Sequence, residues 1–307
     1  MKKIKEYIIS FINGFCMALA DSVPGVSGGT IAFILGFYDK FIISLDDLFR
    51  GNFEKKKKAL TYLFKLGIGW GIGFILAVSF LSNLFESHIY EMSSLFIGFI
   101  IFAIPLVIKE EIDSIKGKYR NIIFILFGAL LVIVITYLNR SGGNTFDINT
   151  LNINTLNIGT IIYVFLSAMV AISAMILPGI SGSTLLLIFG LYIPIITKIK
   201  ELLNFDFSAF PILFVFGLGV IFGVLFFTKL LRKCLEKRRS ATIYAIIGMM
   251  IASIYSIVMG PTTLEFPKNH LTFETFNILY FVLGGVIILS LEGIKNLLNS
   301  NKKNSTN

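Results

Sequence analysis

Residues 24–38 read PGVSGGTIAFILGFY, and residues 178–192 read PGISGSTLLLIFGLY. Eight of the fifteen aligned positions are identical, namely Pro, Gly, Ser, Gly, Thr, Ile, Gly and Tyr in that order. An apolar composition easily supplies a shared isoleucine, but it does not supply P-G-x-S-G-x-T followed by G-x-Y at one spacing. The match therefore predicts that the chain is built from two copies of one unit.

The correspondence continues into the apolar runs that follow this motif. At a constant offset of 150 or 156 residues, the matching pairs are Gly67 with Gly217, Gly69 with Gly219, Gly73 with Gly223, Gly98 with Gly248, Asn121 with Asn277, and Gly128 with Gly284. These pairs place a first repeat at 1–140 and a second at 158–298, joined by an Asn-rich linker at 141–157.

The composition is that of an integral membrane protein. Hydrophobic residues make up 55% of the 307 residues and charged residues only 15%, with a mean hydropathy of +0.83. A soluble domain of this length needs a much larger charged surface. Lys and Arg outnumber Asp and Glu by 27 to 18, but they sit in short clusters between apolar runs. Such clusters are typical of cytoplasmic loops, so we expect membrane lipids and no nucleic acid as partners.

The apolar runs are of two kinds. A helix that crosses the hydrocarbon core needs about 20 mostly apolar residues. Six runs have that character: 59–81, 92–108, 121–138, 210–228, 241–260 and 275–294. Two further stretches are broken by polar residues, 7–45 at residues 21–30 and 158–197 at residues 178–184. Each arm of a broken stretch is short for a full crossing, which predicts a re-entrant or broken helical hairpin in each repeat.

The basic residues predict the orientation. With a cytoplasmic amino terminus, 23 of the 27 Lys and Arg residues fall in cytoplasmic segments, as the positive-inside rule requires. The linker at 141–157 is then extracellular and the tail at 299–307 cytoplasmic. Three crossings separate the hairpins, so the second repeat is inverted and the two tips can meet. The predicted fold is an all-α polytopic membrane protein with two inverted-topology repeats, a plan shared by many secondary transporters.

Each polar break combines residues that end one helix with residues that open the next. Proline and glycine end the first helix, hydroxyl groups cap the second, and the free N–H groups at a helix start attract anions. We predict two facing tips that hold one phosphate group; the alternative is that these small residues only let helices pack closely. The predicted phosphate-binding residues are Ser27, Gly28, Gly29, Thr30, Ser181, Gly182, Ser183 and Thr184.

Two charged residues are further candidates. Asp21 lies just before the first tip, where the second repeat has Met175. A carboxylate inside a membrane segment is a functional candidate, and desolvation disfavours its charged form, which suggests proton coupling. The alternative is that Asp21 caps the local turn. Lys229 lies near the cytoplasmic end of a predicted span and is a candidate cation for the phosphate, or an interfacial anchor.

The sequence ADSVPGVSGGTIAFILGFY, with its echo ILPGISGSTLLLIFGLY, closely resembles the PopT family of polyprenyl-phosphate translocases over nearly the whole chain. The resemblance implies a flippase that returns undecaprenyl phosphate, the lipid carrier of cell-wall synthesis, from the outer to the inner leaflet of the bacterial cytoplasmic membrane. It implies coupling to protons or another ion. It also assigns the phosphate to the eight tip residues, and Asp21 stands in the family's usual acidic position.

Two other functions remain alternatives. One is a membrane enzyme similar to undecaprenyl pyrophosphate phosphatase, whose tip resembles P-G-x-S-R-S. In this chain Gly28 and Gly182 take the place of that arginine, which removes the main electrostatic aid to phosphoryl transfer. The other is an ion-coupled transporter of a small soluble anion. We expect no enzymatic activity, no cofactor and no metal, since no nucleotide-binding loop or HExxH motif occurs.

Overall fold

The computed structural model describes residues 2–21, 27–76, 88–140, 158–180, 182–263 and 268–303. The described part of the chain is helical and contains no strand, which confirms the predicted all-α class. Its helices of seven or more residues are α1 Lys2–Asp21, α2 Gly28–Ile34, α3 Tyr38–Arg50, α4 Phe53–Leu76, α5 Ile89–Glu110, α6 Ile123–Arg140, α7 Ile158–Ile176, α8 Gly182–Ile188, α9 Tyr192–Leu203, α10 Phe210–Lys237, α11 Arg239–Met259 and α12 Ile278–Lys303.

Six helical segments in the described ranges are long and apolar enough to cross a membrane: Phe53–Leu76, Ile89–Glu110, Tyr119–Leu138, Ile158–Ile176, Phe207–Lys237 and Arg239–Thr262. Five of them match predicted spans. The predicted span 275–294 is also helical, since it overlaps α12, and Ile278–Ser290 is an apolar stretch of that helix. The expectation that every hairpin arm is too short to cross is wrong for α7, because this arm runs for 19 uninterrupted residues.

The two broken stretches fold in the same way. In each, a long helix is followed by a seven-residue helix and then by an amphipathic helix. Gly36 and Gly190 end the seven-residue helices with φ of 71° and 67°, a left-handed conformation that favours glycine. Tyr38 and Tyr192 then begin the next helices. The repeated G-x-Y therefore marks the turn between the second and third helices of each broken stretch.

Glycines bring the first long helix of each repeat against the first span. A methyl group on Gly69 would overlap the carbonyl oxygen of Phe11, and one on Gly219 would overlap that of Phe165. The two contacts are equivalent in the repeats, since 69 and 219 are 150 apart, and 11 and 165 are 154 apart, as the two motifs are. Glycines at helical spacing in an apolar run predict such contacts; the prediction is confirmed for Gly69 and Gly219 and wrong for Gly67 and Gly217, where a methyl group would meet no atom within 4 Å.

The remaining spans pair across the repeats. Gly98 of α5 lies against the Phe281 carbonyl of α12, and Gly248 of α11 lies against the Ile125 carbonyl of α6. These two contacts also exchange equivalent positions. Asn277 N–H donates to Ser94 Oγ at 2.9 Å. Both residues lie one turn before the contact of Gly98 with Phe281, so α5 and α12 run in the same direction. This direction is compatible with an inverted repeat, because α12 corresponds to α6, which follows α5 and should run opposite to it unless the second repeat is inverted.

Gly69→Ala and Gly67→Ala form a matched pair of variants on α4. A methyl group at Gly67 meets no atom within 4 Å, whereas at Gly69 it meets the α1 backbone. We expect Gly67→Ala to leave stability unchanged or raise it by up to about 1 kcal/mol, and Gly69→Ala to lower it by about 1–3 kcal/mol. Thermal unfolding of the purified proteins in one detergent measures the difference, and equal midpoints would contradict the packing.

Candidate functional site

The first tip opens α2 with a side-chain cap. Ser27 is in an extended conformation, with φ −127° and ψ 149°, and its Oγ accepts a hydrogen bond from the Thr30 N–H at 3.2 Å. Ser27 and Thr30 are 0% and 1% exposed. Pro24 and Gly25, which were expected to end the preceding arm, lie outside the described residues.

The second tip contacts the first through hydrogen bonds. Ser27 Oγ donates to the Leu177 carbonyl oxygen at 3.0 Å, and the Gly179 N–H donates to Thr30 Oγ1 at 2.8 Å and to Ser27 Oγ at 3.2 Å. Tyr38 supports this contact by donating from its hydroxyl to the Ile176 carbonyl oxygen at 3.2 Å. We call Ser27, Thr30, Leu177 and Gly179 the tip junction. The prediction that the two tips meet is confirmed.

Asp21 occupies the start of α2. Its Oδ1 accepts the Gly28 N–H at 2.6 Å, and its Oδ2 accepts the Trp70 indole N–H at 3.0 Å. The carboxylate therefore caps the turn, which was the alternative to a proton-linked role. A carboxylate on a backbone N–H at a helix start also fills the position that a bound phosphate oxygen would take.

The second repeat has the same backbone arrangement without the carboxylate. A methyl group on Gly28 would lie 2.7 Å from Asp21 Oδ2, and one on Gly182 would lie 3.1 Å from the Cβ of Met175. Met175 thus stands against Gly182 as Asp21 stands against Gly28. The position equivalent to Trp70 is Val220. The first repeat therefore has a half-buried polar pair, Asp21 with Trp70, that the second repeat lacks.

The remaining predicted tip residues differ in what the structure describes. Gly29 packs on the second tip, since a methyl group there would lie 2.6 Å from the Ile176 carbonyl oxygen. Gly28 and Gly29 therefore serve close packing in this conformation, and their contact with phosphate stays a prediction. Thr184 is half-buried in α8. Ser181 and the side chain of Ser183 lie outside the described part of the chain.

A cavity of about 260 Å³ opens beside Asp21. It lies between helices of both repeats and is lined by apolar side chains such as Met17, Trp70, Ile172 and Val224. Among the described residues that line it, Asp21 is the one that carries a charge. An apolar cavity that meets a polar group at one end suits an amphipathic ligand.

Ion pairs join α3 to the second repeat. Arg232 Nη1 lies 2.9 Å from Asp46 Oδ2 and 2.7 Å from Asp47 Oδ1, and Arg239 Nη1 lies 2.6 Å from Asp39 Oδ2. Sequence reasoning missed these contacts. The alternation of acidic and apolar residues in α3 indicates an amphipathic helix, but nothing in the sequence indicates partners 185 to 200 residues away.

Lys229 is not brought to the tip junction. Its side chain is exposed on α10, and within the described ranges no hydrogen bond or ion pair joins it to another residue. A role for Lys229 with the phosphate stays a prediction, and its exposure near a helix end agrees with an interfacial anchor.

A family model described as undecaprenyl phosphate translocase-like matches residues 17–275. The polyprenyl-phosphate transporter of Staphylococcus aureus (strain NCTC 8325 / PS 47) is 34% identical over 291 residues, which cover 92% of this chain and 95% of that protein. The polyprenyl-phosphate transporter of Vibrio cholerae serotype O1 is 30% identical over 278 residues, which cover 87% of this chain and 82% of that protein. No solved structure matches.

Ser27→Ala tests the tip junction, with Ser173→Ala as its control. Ser27 Oγ bonds to groups of both tips, whereas Ser173 Oγ bonds only to the Met169 carbonyl one turn earlier in the same helix, at 2.7 Å. We expect Ser27→Ala to cost about 1–3 kcal/mol, since it removes the hydroxyl that binds the Leu177 carbonyl oxygen and caps α2. Thermal unfolding should show a clearly lower midpoint for Ser27→Ala, and a loss no larger than that of the control would contradict the junction.

Proposed function

The chain belongs to the undecaprenyl phosphate translocase-like family, and on that premise we propose that it transports polyprenyl phosphate across the bacterial cytoplasmic membrane. The observation that carries this proposal is the meeting of two polar tips, one of them already capped by a carboxylate, beside an apolar cavity. The names of the family and of both relatives are those of transporters, in agreement with the expectation that the chain is not an enzyme.

The finer proposal is that undecaprenyl phosphate moves from the outer to the inner leaflet, with its headgroup held between the tips. Ser27 and Thr30 would supply hydroxyl groups, and Gly28 and Gly182 would supply backbone N–H groups at helix starts. The predicted inverted topology, with both termini cytoplasmic, would let the tips be approached in turn from either leaflet.

The headgroup must replace bonds that are already made. In this conformation the Gly28 N–H is bound to Asp21, and the hydroxyl groups of Ser27 and Thr30 are bound to the second tip. Phosphate and the Asp21 carboxylate are both anionic acceptors, so they compete for one N–H. Protonation of Asp21 removes the negative charge of the competitor and should favour phosphate, which is how a proton gradient would drive transport.

The apolar cavity supports a lipid substrate over a small soluble anion. The described residues of its lining are apolar apart from Asp21 and the Trp70 indole N–H, so a phosphate entering it alone would lose most of its hydration without replacement. The first prenyl units of a lipid would instead gain burial there, at about 25 cal/mol per Å². Release to the cytoplasmic side would require α3 to part from Arg232 and Arg239.

Reconstituted vesicles test the transport itself. We expect a fluorescent polyprenyl phosphate to become accessible in the opposite leaflet when the protein is present, and the corresponding polyprenol without phosphate to show no protein-dependent movement. Dithionite quenching of the outer leaflet measures both. Equal movement of both lipids would contradict phosphate recognition. Release of inorganic phosphate from the polyprenyl pyrophosphate would instead favour the phosphatase alternative.

Asp21→Asn tests proton coupling, with Asp206→Asn as its control. Asp206 also accepts a backbone N–H, from Ser208 at 2.9 Å, but it is exposed. Asparagine keeps the acceptor oxygen and does not titrate. We expect wild-type and Asp206→Asn rates to rise on acidification, by up to about ten-fold per pH unit where the carboxylate titrates, and Asp21→Asn rates to change by less than about two-fold. A wild-type pH profile in Asp21→Asn would exclude the proposed coupling.

A further inference from the structure

A second cavity, of about 500 Å³, lies between the start of α1, the start of α3 and the first turns of α4. Four lysines line it, Lys40, Lys57, Lys58 and Lys65, together with Tyr62. It is separate from the cavity beside Asp21, with which it shares no described lining residue. Tyr62 of this cavity and Trp70 of the other are eight residues apart on α4, or about 12 Å along a helix. We call it the lysine vestibule.

The charges of the lysine vestibule do not cancel. Its lining also includes Glu6 and Glu54, so four lysines less two glutamates leave a net charge of +2. Within the described residues, no ion pair joins any of these lysines to a carboxylate. Arg50, Arg232 and Arg239 each have at least one carboxylate partner. The vestibule thus concentrates positive charge that the fold leaves uncompensated.

Tyr62 sets this cavity apart from an ordinary basic surface. It is 8% exposed, and its hydroxyl is the one buried side-chain polar atom in the described ranges that has no hydrogen-bond partner. A buried donor without a partner is costly. Lys40 Nζ lies 4.2 Å from the centre of the Tyr62 ring, and Lys65 Nζ lies 3.7 Å from the centre of the Tyr7 ring. Aromatic faces therefore hold two of the ammonium groups in place.

We propose that the lysine vestibule binds a phosphate monoester, and that it receives the lipid headgroup at the cytoplasmic leaflet. The proposal rests on the proposed function for the identity of the lipid. A phosphate monoester carries close to two negative charges at neutral pH, which match the net charge of the lining. Its oxygens accept hydrogen bonds from ammonium groups and from the Tyr62 hydroxyl. The lysine-rich start of α4 places the vestibule on the cytoplasmic side by the positive-inside rule.

The test uses the purified full-length protein in nanodiscs of zwitterionic lipid. Lysines are labelled with an amine-reactive reagent and quantified by mass spectrometry, alone and with farnesyl phosphate, inorganic phosphate or phosphatidylglycerol. Lys55 and Lys56 are exposed on the same helix and do not line the cavity, so they are internal controls. We expect farnesyl phosphate to slow the labelling of Lys57 and Lys58 at least five-fold relative to Lys55 and Lys56.

Two variants sharpen the reading. Tyr62→Phe removes only the hydroxyl. The concentration of farnesyl phosphate that gives half-maximal protection should rise about ten-fold, as the loss of one hydrogen bond to a charged group predicts. Lys55→Gln with Lys56→Gln removes two charges outside the cavity and should change this concentration less than two-fold. If Tyr62→Phe unfolds, Lys58→Gln serves instead, because Lys58 also lines the vestibule, and the protection of Lys57 is then measured.

Each outcome decides the matter. Protection by farnesyl phosphate and by inorganic phosphate supports a phosphate site that recognises the headgroup alone, and protection by farnesyl phosphate only supports a site that also needs the lipid. Equal protection of Lys55, Lys56, Lys57 and Lys58, or equal protection by phosphatidylglycerol, overturns the proposal in favour of general attraction to anionic lipid. Vesicles in which the wild type transports no polyprenyl phosphate defeat the proposed function, but specific protection would still establish the vestibule.

Discussion

The fold depends on satisfying two breaks in the helical backbone where water is scarce. An unpaired polar group in hydrocarbon costs several kcal/mol. On either side of Pro178, which has no N–H, the Leu177 carbonyl and the Gly179 N–H are bound by the hydroxyls of Ser27 and Thr30. The second break is thus satisfied by the first, which gives a physical reason for the two tips to meet.

The contact between the breaks is unequal although the sequences that form it are repeated. The first tip contributes side-chain hydroxyls and the second contributes backbone groups. The first repeat also carries Asp21 and Trp70, where the second carries Met175 and Val220. Under the proposed mechanism one headgroup would therefore displace one carboxylate, so a single proton could accompany each lipid.

Some of this arrangement could be predicted from the sequence, and the reason is spacing. Pairs such as Gly69 with Gly219 indicated both the repeat and the close helix contacts, because a position that must lack a side chain leaves a visible residue type. The G-x-Y and P-G-x-S-G patterns likewise located the breaks. The length of α7 was predicted wrongly, because a break at Pro178 ends a helix without shortening the 19 helical residues before it. The carboxylate partners of Arg232 and Arg239, and the contact of Lys40 with the Tyr62 ring, could not be predicted. Side chains far apart in sequence meet only through the packing of whole helices.

The two sets of contacts between the repeats differ in burial. The Arg239–Asp39 pair is partly exposed, at 36% and 40%, and exposed pairs contribute about 0–1 kcal/mol each. Arg232, at 24% exposure, holds Asp46 and Asp47, whose side chains are 9% and 17% exposed. The tip junction is buried, so separating it leaves several groups unpaired. A ligand that replaces those bonds lowers the cost of separation, and a ligand can shift a conformational equilibrium only through such a difference in binding between the two states. Under the proposed proton coupling, an empty carrier would then keep its tips together, so that an unloaded cycle would not dissipate the gradient.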